Sequence, residues 1–209
     1  MSIPGAASPL FLATTAGGAA GDFEIARSLR FNSADSAYLN RTPSSAGNRK
    51  TWTWSGWVKR SAVGTKQIFL GVQGTSDTTY VENYFATDDK LYLRFGYTSV
   101  AEVRTTQVFR DVASWAHIVI AFNVTESAAA DKLKLYINGS QVTDFSTDTR
   151  SSFSNQDYGV NRAGAHKISG APNGSGDFLD AYLAEVNFID GAALDPTSFG
   201  QADSDGVWR

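Results

Sequence analysis

The carboxylates and histidines of this chain are the residues whose types could support acid–base chemistry. Its 209 residues include 21 Asp and Glu and two His but no Cys, which excludes thiolate nucleophiles, disulfides and cysteine-ligated metals. Glycoside hydrolysis needs two carboxylates about 5–9 Å apart. Asp180 and Glu185 stand five positions apart on one predicted strand, so their side chains point to opposite faces. The sequence predicts no catalytic residues and no enzyme, with glycoside hydrolysis as a remote alternative.

The two histidines occupy different settings. His117 lies in a run of apolar, β-forming residues, and we interpret it as a core or rim histidine that is hydrogen-bonded to a neighbour. His166 follows Gly164 in a loop, where we expect it to be exposed and to have no chemical role. Because histidines so differently placed do not form a ligand set, we predict no zinc site.

Calcium is the cofactor that the loops leave open, because Ca²⁺ takes carboxylate and amide oxygens. Such residues are more often solvated turns. The contributors considered are Asp88, Asp89, Asn155, Gln156, Asp157, Asn173 and Asp177. No ligand set among them is specific, so we predict no metal or other cofactor and keep calcium as the alternative.

Tyrosines near loop edges are the residues through which this chain could recognise a sugar, because exposed aromatic rings stack on sugar faces. Those expected to remain partly exposed, and therefore the candidate glycan-binding residues, are Tyr80, Tyr84, Tyr97 and Tyr158. The tryptophans instead expected in the core or at a subunit interface are Trp52, Trp54, Trp57 and Trp115.

The segments around these residues alternate with a period of two, which indicates β-strands. Trp52 and Trp54 share one face of a strand, and the parity changes at Gly56, which predicts a bulge or a close approach there. Residues 115–123 are almost continuously apolar, as in a strand buried on both faces. Asn138-Gly139 predicts a tight hairpin, whereas only residues 126–132 and 195–199 favour helical turns. The fold class is therefore all-β.

The domain organisation follows from these strands. Residues 29–200 are predicted to form one two-sheet antiparallel β-sandwich of jelly-roll type, because no linker divides them. Residues 201–209 are a C-terminal tail. The net charge of −3, with 19% charged residues, favours neither a phosphate-binding face nor nucleic acid as a partner.

We interpret residues 1–28, which are rich in Gly and Ala, as an extended apolar arm. No Lys or Arg precedes Arg27, and the apolar run is too short for a signal peptide or a membrane span. Three large apolar side chains stand together after a proline, as Pro9, Leu10, Phe11 and Leu12. Because such a cluster needs a cover, we expect these four residues to anchor or assemble the chain on a partner.

Several motifs follow one another in a familiar order. Leu29-Arg30-Phe31 opens the series, and Trp54-Ser55-Gly56-Trp57-Val58-Lys59 and Trp115-Ala116-His117 follow. Leu135-Tyr136-Ile137-Asn138-Gly139 and Glu185-Val186 close it. This order resembles the laminin-G-like, concanavalin A-like lectin/glucanase superfamily, in the form found in pentraxin-like and phage-borne domains. The resemblance implies a jelly roll that binds or displays, sometimes with carbohydrate or calcium.

The amino-acid sequence of the arm and of residues 41–52 resembles that of virion structural proteins of marine tailed phages, including tail-fibre and decoration proteins. This likeness implies a non-enzymatic virion protein that displays a lectin-like domain. It would be anchored to other virion proteins through the arm, would assemble as a homo-oligomer and would contribute to host attachment through a cell-surface glycan. The alternative is a free carbohydrate-binding module.

Overall fold

The protein folds as two packed β-sheets. The computed structural model describes residues 25–76, 78–98, 101–174 and 176–209. The strands of these ranges are β1 (Leu29–Phe31), β2 (Leu39–Arg41), β3 (Thr51–Arg60), β4 (Gln67–Val72), β5 (Val81–Phe85), β6 (Lys90–Phe95), β7 (Ala101–Val108), β8 (Ala116–Asn123), β9 (Leu133–Ile137), β10 (Ser140–Gln141), β11 (Phe145–Asp148), β12 (His166–Ile168) and β13 (Ala181–Asp190).

The strand order is that of a jelly roll. One sheet has six strands in the order β1-β13-β3-β8-β9-β10, and the other has seven in the order β11-β7-β6-β5-β4-β12-β2. The pairings between the described strands are antiparallel. The predicted all-β, two-sheet antiparallel sandwich is confirmed.

The core lies between the sheets and is built from the alternate side chains of each strand that point inward. Trp52 and Trp54 of β3 are buried, as predicted. Phe122 of β8 stacks on Trp52 with 4.9 Å between ring centroids. Phe95 crosses from the other sheet and stacks on Phe122 at 5.2 Å. Since burial of each such side chain contributes roughly 1.5–3 kcal/mol, the two sheets are held firmly face to face.

The irregularity expected at Gly56 lies in the neighbouring strand. β3 pairs with β8 without interruption through Gly56. The register shifts in β13, between Ala184 and Asn187, where Glu185 takes a φ of 46°. A Cβ atom at Gly56 would lie 2.8 Å from the Trp54 ring. The glycine therefore makes room for a core side chain, and the bulge belongs to β13.

Three short-range predictions hold. Asn138 and Gly139 have φ values of 49° and 77°, which the tight turn between β9 and β10 requires. Helix α1, Ala129–Lys132, lies within the predicted range 126–132. A short 3₁₀ turn covers Pro196–Ser198.

The segment formed by residues 191–209 lies across the outer face of the six-stranded sheet. The Thr53 hydroxyl of β3 donates to the Ala192 carbonyl and accepts from the Leu194 amide, both at 2.7 Å. Further along, Trp208 reaches β8. The middle of this sheet, at β3 and β8, is therefore covered on both faces.

The arm residues Pro9, Leu10, Phe11 and Leu12 lie outside the described residues. Their assignment to anchoring or assembly stays a prediction. In the described ranges, no helix is long and apolar enough to cross a membrane.

Candidate functional site

The outer face of the seven-stranded sheet carries an ordered set of charged and tyrosine side chains. The strand register aligns Glu82, Arg94 and Glu102 as direct neighbours on β5, β6 and β7. Because side chains alternate across a strand, this row points away from the apolar core. We call the full set the polar sheet face; it comprises Lys66, Tyr80, Glu82, Tyr84, Tyr92, Arg94, Tyr97, Glu102 and Arg104.

Each carboxylate of the polar sheet face is paired with a cation. Glu82 is only 3% exposed, and its Oε2 atom lies 3.1 Å from Lys66 Nζ and 3.8 Å from Arg94 Nη1. Glu102 is likewise buried and forms an ion pair with Arg104. These partners compensate the cost of removing the carboxylates from water. Both signs of charge are therefore held at fixed positions.

Lys66, Tyr84, Tyr92 and Arg104 stack one after another across the sheet. Lys66 Nζ lies 4.7 Å from the centre of the Tyr84 ring, the two tyrosine rings lie 5.1 Å apart, and Arg104 Cζ lies 4.8 Å from the centre of the Tyr92 ring. Since each tyrosine has one partner on either side along the strand order, its two ring faces are covered. Only the ring edges and hydroxyl groups of this stack can meet a ligand.

The two hydroxyl groups of the stack differ in their bonding. The Tyr92 hydroxyl donates to Asp88 Oδ2 at 3.0 Å, whereas the Tyr84 hydroxyl has no hydrogen-bond partner within the described ranges. Burial raises the pKa of Tyr84 to about 12, and burial together with the Asp88 hydrogen bond raises the pKa of Tyr92. Both phenols are therefore neutral near pH 7, and Tyr84 has a donor to offer a ligand.

Tyr97 stands at one end of the polar sheet face. Its ring stacks on Tyr80 at 4.2 Å, its hydroxyl donates to the Gly74 carbonyl at 2.6 Å, and Arg94 donates to its carbonyl. Tyr80 donates to Glu82, and burial together with this hydrogen bond raises the pKa of Tyr80. Tyr97 is 40% exposed, and its stacking and hydrogen bonds fix its orientation.

The loop between β12 and β13 borders the polar sheet face on the β4 side. Its Ala171 packs against a small apolar cluster formed by Ile68, Tyr84 and Ala86. Its Asp177 lies 3.1 Å from Lys66 Nζ. Pro172 approaches the sheet at Gly71, where a Cβ atom would lie 3.1 Å from the proline ring. The loop makes a wall, and the face stays open beyond it over β6 and β7.

The structure brings three of the four predicted tyrosines together. Tyr80, Tyr84 and Tyr97 belong to the polar sheet face, although contact with their neighbours leaves Tyr80 and Tyr84 largely covered. Tyr158 lies in the core with no exposed surface, and its ring meets Phe153 edge-on at 5.2 Å. The expectation of partial exposure is therefore wrong for Tyr158, whose ring completes an aromatic cluster. It is also wrong for Tyr80 and Tyr84, which are 6% and 8% exposed because neighbouring side chains cover their rings, and it is confirmed for Tyr97. Glycan binding by the other three stays a prediction.

The charged residues of the polar sheet face were missed by the sequence analysis. Three successive strands carry the alternating pairs Glu82 and Tyr84, Tyr92 and Arg94, and Glu102 and Arg104. That period of two was the available signal. It does not say which residues become neighbours, because the register depends on the turns between the strands.

On the other sheet, His117 lies buried between Ser55 and Trp208. The Trp208 indole N–H donates to Nδ1 at 2.9 Å, so Nε2 carries the proton and donates to Ser55 Oγ at 2.8 Å. Burial lowers the pKa of His117 to about 4. The predicted hydrogen-bonded histidine is confirmed. Since Nε2 cannot accept the hydroxyl proton in this arrangement, the two residues do not form a nucleophile and its base.

His166 is partly buried, so the expectation of an exposed, idle side chain is wrong. Its Nδ1 donates to the Gly164 carbonyl at 2.8 Å, and its Nε2 accepts from the Asn161 amide at 2.9 Å. Burial lowers its pKa. Its role is to hold the loop that leads into β12.

The residues considered for calcium are dispersed and engaged elsewhere. Asp89 accepts hydrogen bonds from Arg60 and Arg110 at 3.1 and 3.0 Å, and Asp157 lies 3.6 Å from Arg49. Among the residues that the structure describes, no three His, Asp or Glu side chains gather where they could hold a metal. Calcium dependence is a question for a binding assay.

The sequence of this chain matches that of a known protein family. Residues 31–197 match the sequence profile of the concanavalin A-like lectin/glucanases superfamily, in its laminin G form. The chain therefore belongs to this superfamily. Comparison with curated protein sequences finds no match.

Solved structures show the same fold at low sequence identity. A putative carbohydrate-binding protein from Bacteroides ovatus is 12% identical, with 87% of this chain and 50% of that chain covered and a TM-score of 0.55. Domains LG4-5 of the mouse laminin alpha1 chain are 13% identical, with 79% and 42% covered and a TM-score of 0.55. Domain 4 of an extracellular arabinanase from Geobacillus stearothermophilus, solved with arabinotriose, is 16% identical, with 70% and 64% covered and a TM-score of 0.50. This chain thus spans half or less of the first two, and the likeness concerns the fold alone.

Proposed function

We propose that this chain is a non-catalytic carbohydrate-binding module of the lectin type, and that the sugar lies across the polar sheet face. The observation that carries the proposal is a pair of partly exposed guanidinium groups, Arg94 and Arg104, near the exposed Tyr97. The buried carboxylates of Glu82 and Glu102 hold the two guanidinium groups at neighbouring positions of the sheet. Fold alone does not decide function, so the argument depends on these side chains.

The chemistry of the face suits a sugar. A pyranose presents hydroxyl groups around its rim and C–H groups on its faces. Arg94 and Arg104, whose side chains are 26% and 41% exposed, can donate hydrogen bonds to a sugar. Glu82 and Glu102 are buried and hold these cations in place. The exposed Tyr97 can stack on C–H groups. The mixed charge of the face does not favour a ligand of one strong sign. A neutral glycan therefore fits better than a polyanion.

The same carboxylates do not suit hydrolysis. Glu82 and Glu102 are separated by the strand that carries Arg94, which places their backbones roughly 10 Å apart. Each is bound to a cation, whereas a general acid must be protonated when it acts. Asp180, the other carboxylate weighed for catalysis, accepts hydrogen bonds from the amide and hydroxyl of Ser33. We therefore favour binding over hydrolysis, and reducing-sugar release from polysaccharides tests the alternative.

The test is a glycan screen with the full chain, with and without calcium, followed by calorimetry on the best ligand. The double variant Tyr97→Ala/Arg104→Ala should weaken binding roughly 30-fold or more, because it removes a stacking surface and a charged donor. The matched control is Tyr182→Ala/Arg30→Ala, an Arg–Tyr pair on the six-stranded sheet, and it should bind normally. Failure of the screen, or equal affinity of both double variants, contradicts the proposal.

We further propose that the module is a phage virion structural protein, a tail fibre or a capsid or tail decoration, anchored by Pro9, Leu10, Phe11 and Leu12 and assembled as a homo-oligomer. The support is the likeness of the arm to such proteins. Immuno-electron microscopy with an antibody to residues 29–200 should label particles, and a chain without residues 1–27 should fold but fail to join them. Unlabelled particles would leave a free carbohydrate-binding module, and normal incorporation of the short chain would reject the anchor.

A further inference from the structure

The sandwich has an open side, where β1 ends one sheet and β2 ends the other. Two adjoining cavities of about 280 and 190 Å³ lie between these edges. Both are lined by Leu39, Ile168 and Val186. We call this space the edge cleft.

Apolar side chains are left exposed along the edge cleft. Leu29 and Leu39 are about half exposed, and Phe188 and Val186 are 41% and 36% exposed. Each of these residues lines one or both cavities. Apolar groups gathered at one place on a surface mark a site that another segment covers.

The chain direction identifies a segment that can cover the edge cleft. β1 runs antiparallel to β13, with Leu29 opposite Leu183, so the residues that precede Leu29 continue toward Val186 and Phe188. Past Ala184, β13 pairs with β3 alone among the described strands. Its other edge is therefore open to an added segment, on the side where residues 25–28 precede β1.

We propose that Leu10, Phe11 and Leu12 of the same chain fill the edge cleft. Sixteen residues separate Leu12 from Leu29, and such a length reaches up to roughly 50 Å, so the segment can return to the cleft of its own domain. Tethering gives it an effective concentration on the order of millimolar, which favours the same chain over a second copy. Residues 3–21 carry no charge, which matches the apolar lining. This inference does not depend on glycan binding, and it competes with the anchoring role proposed above, because side chains that fill the cleft are not available to another virion protein.

Cysteine pairing tests the proposal directly, because the natural chain has no cysteine. In the full chain, Phe11→Cys with Phe188→Cys should form a disulfide within one chain under mild oxidation. The control pair Phe11→Cys with Tyr97→Cys should not, because Tyr97 lies on the polar sheet face. Equal cross-linking of the two pairs overturns the proposal, and disulfide-linked dimers alone assign the cleft to a second copy.

Amide hydrogen exchange provides a second test that needs no substitution in the edge cleft. It therefore applies even if the Phe188→Cys variant misfolds. In the full natural chain, residues 186–190 should be protected. Leu10→Asp/Phe11→Asp should speed their exchange by roughly tenfold or more, because the docked segment no longer shields that edge. The matched control Thr14→Asp/Thr15→Asp adds the same charge to the arm and should change nothing. Exchange that is the same in all three proteins rejects the docking.

Discussion

The outer faces of the two sheets are built by the same alternation of residues but differ in their exposure to solvent. On the six-stranded sheet, His117 and Ser55 are covered by the chain's own residues 191–209 and have almost no exposed surface. On the seven-stranded sheet, Arg104 and Tyr97 stay in contact with solvent. The covered polar groups of His117 and Ser55 use their hydrogen bonds within the protein. The polar groups of the open face keep hydrogen-bond donors and ring surface that a ligand can contact. The covered face therefore contributes stability, and the open face contributes recognition.

The largest effect should come from the covered face. Trp208→Ala removes the indole that stacks on His117 at 5.9 Å and donates to its Nδ1. Loss of a large packed side chain and of the partner of a buried acceptor should lower the free energy of unfolding by about 3–5 kcal/mol. Urea unfolding measures it. Tyr97→Ala on the open face should cost less than half as much, and equal losses would erase the contrast between the faces.

Acid should lower the stability of the protein through His117, which lies on the covered face. The pKa of His117 is about 4 in the fold, against an ordinary value of 6.5, so protons bind the unfolded chain more readily. Its stabilisation is complete above about pH 6.5 and falls as the pH drops toward 4, by about 3 kcal/mol in all. Unfolding measured between these values, compared with His117→Gln, isolates this contribution. Parallel pH profiles for the two proteins would show that His117 is protonated without cost.

A smaller loss is expected inside the open face. Glu82→Gln removes the charge that holds Lys66 and Arg94 and should lower stability by about 2 kcal/mol. The matched control is Glu185→Gln, because Glu185 is exposed and makes no ion pair within the described ranges. Both should be followed by thermal unfolding. Equal melting temperatures would mean that the Glu82 pairs hold nothing in place.

The smallest change should separate binding from stability. Tyr84→Phe deletes a hydroxyl that bonds to nothing within the described ranges, so stability should stay within about 0.5 kcal/mol. Affinity for the glycan should fall about fivefold, which is one hydrogen bond. Tyr92→Phe, which loses the bond to Asp88, should show the reverse. Calorimetry and unfolding on both variants decide whether a sugar uses the Tyr84 hydroxyl.

The sequence predicted local features well and neighbours poorly. The buried Trp52 and Trp54, the Asn138-Gly139 turn and the all-β sandwich follow from periodicity and turn chemistry, which are local. Tyr158 was misplaced because its burial depends on aromatic rings from distant strands. The row of Glu82, Arg94 and Glu102 was missed because it exists only after three strands adopt one register. The cover on His117 comes from the chain end, which no periodicity places.

The tyrosine stack links side chains of three neighbouring strands, β5, β6 and β7, and of Lys66, which precedes β4. Its members are Lys66, Tyr84, Tyr92 and Arg104, and their contacts restrict one another's motion. With cations closing both ends of the tyrosine pair, no ring of the stack is left to rotate freely. A ligand that arrives on this face finds side chains already ordered, so binding costs little conformational entropy. Association should then proceed as a single step, without a slow phase of side-chain rearrangement.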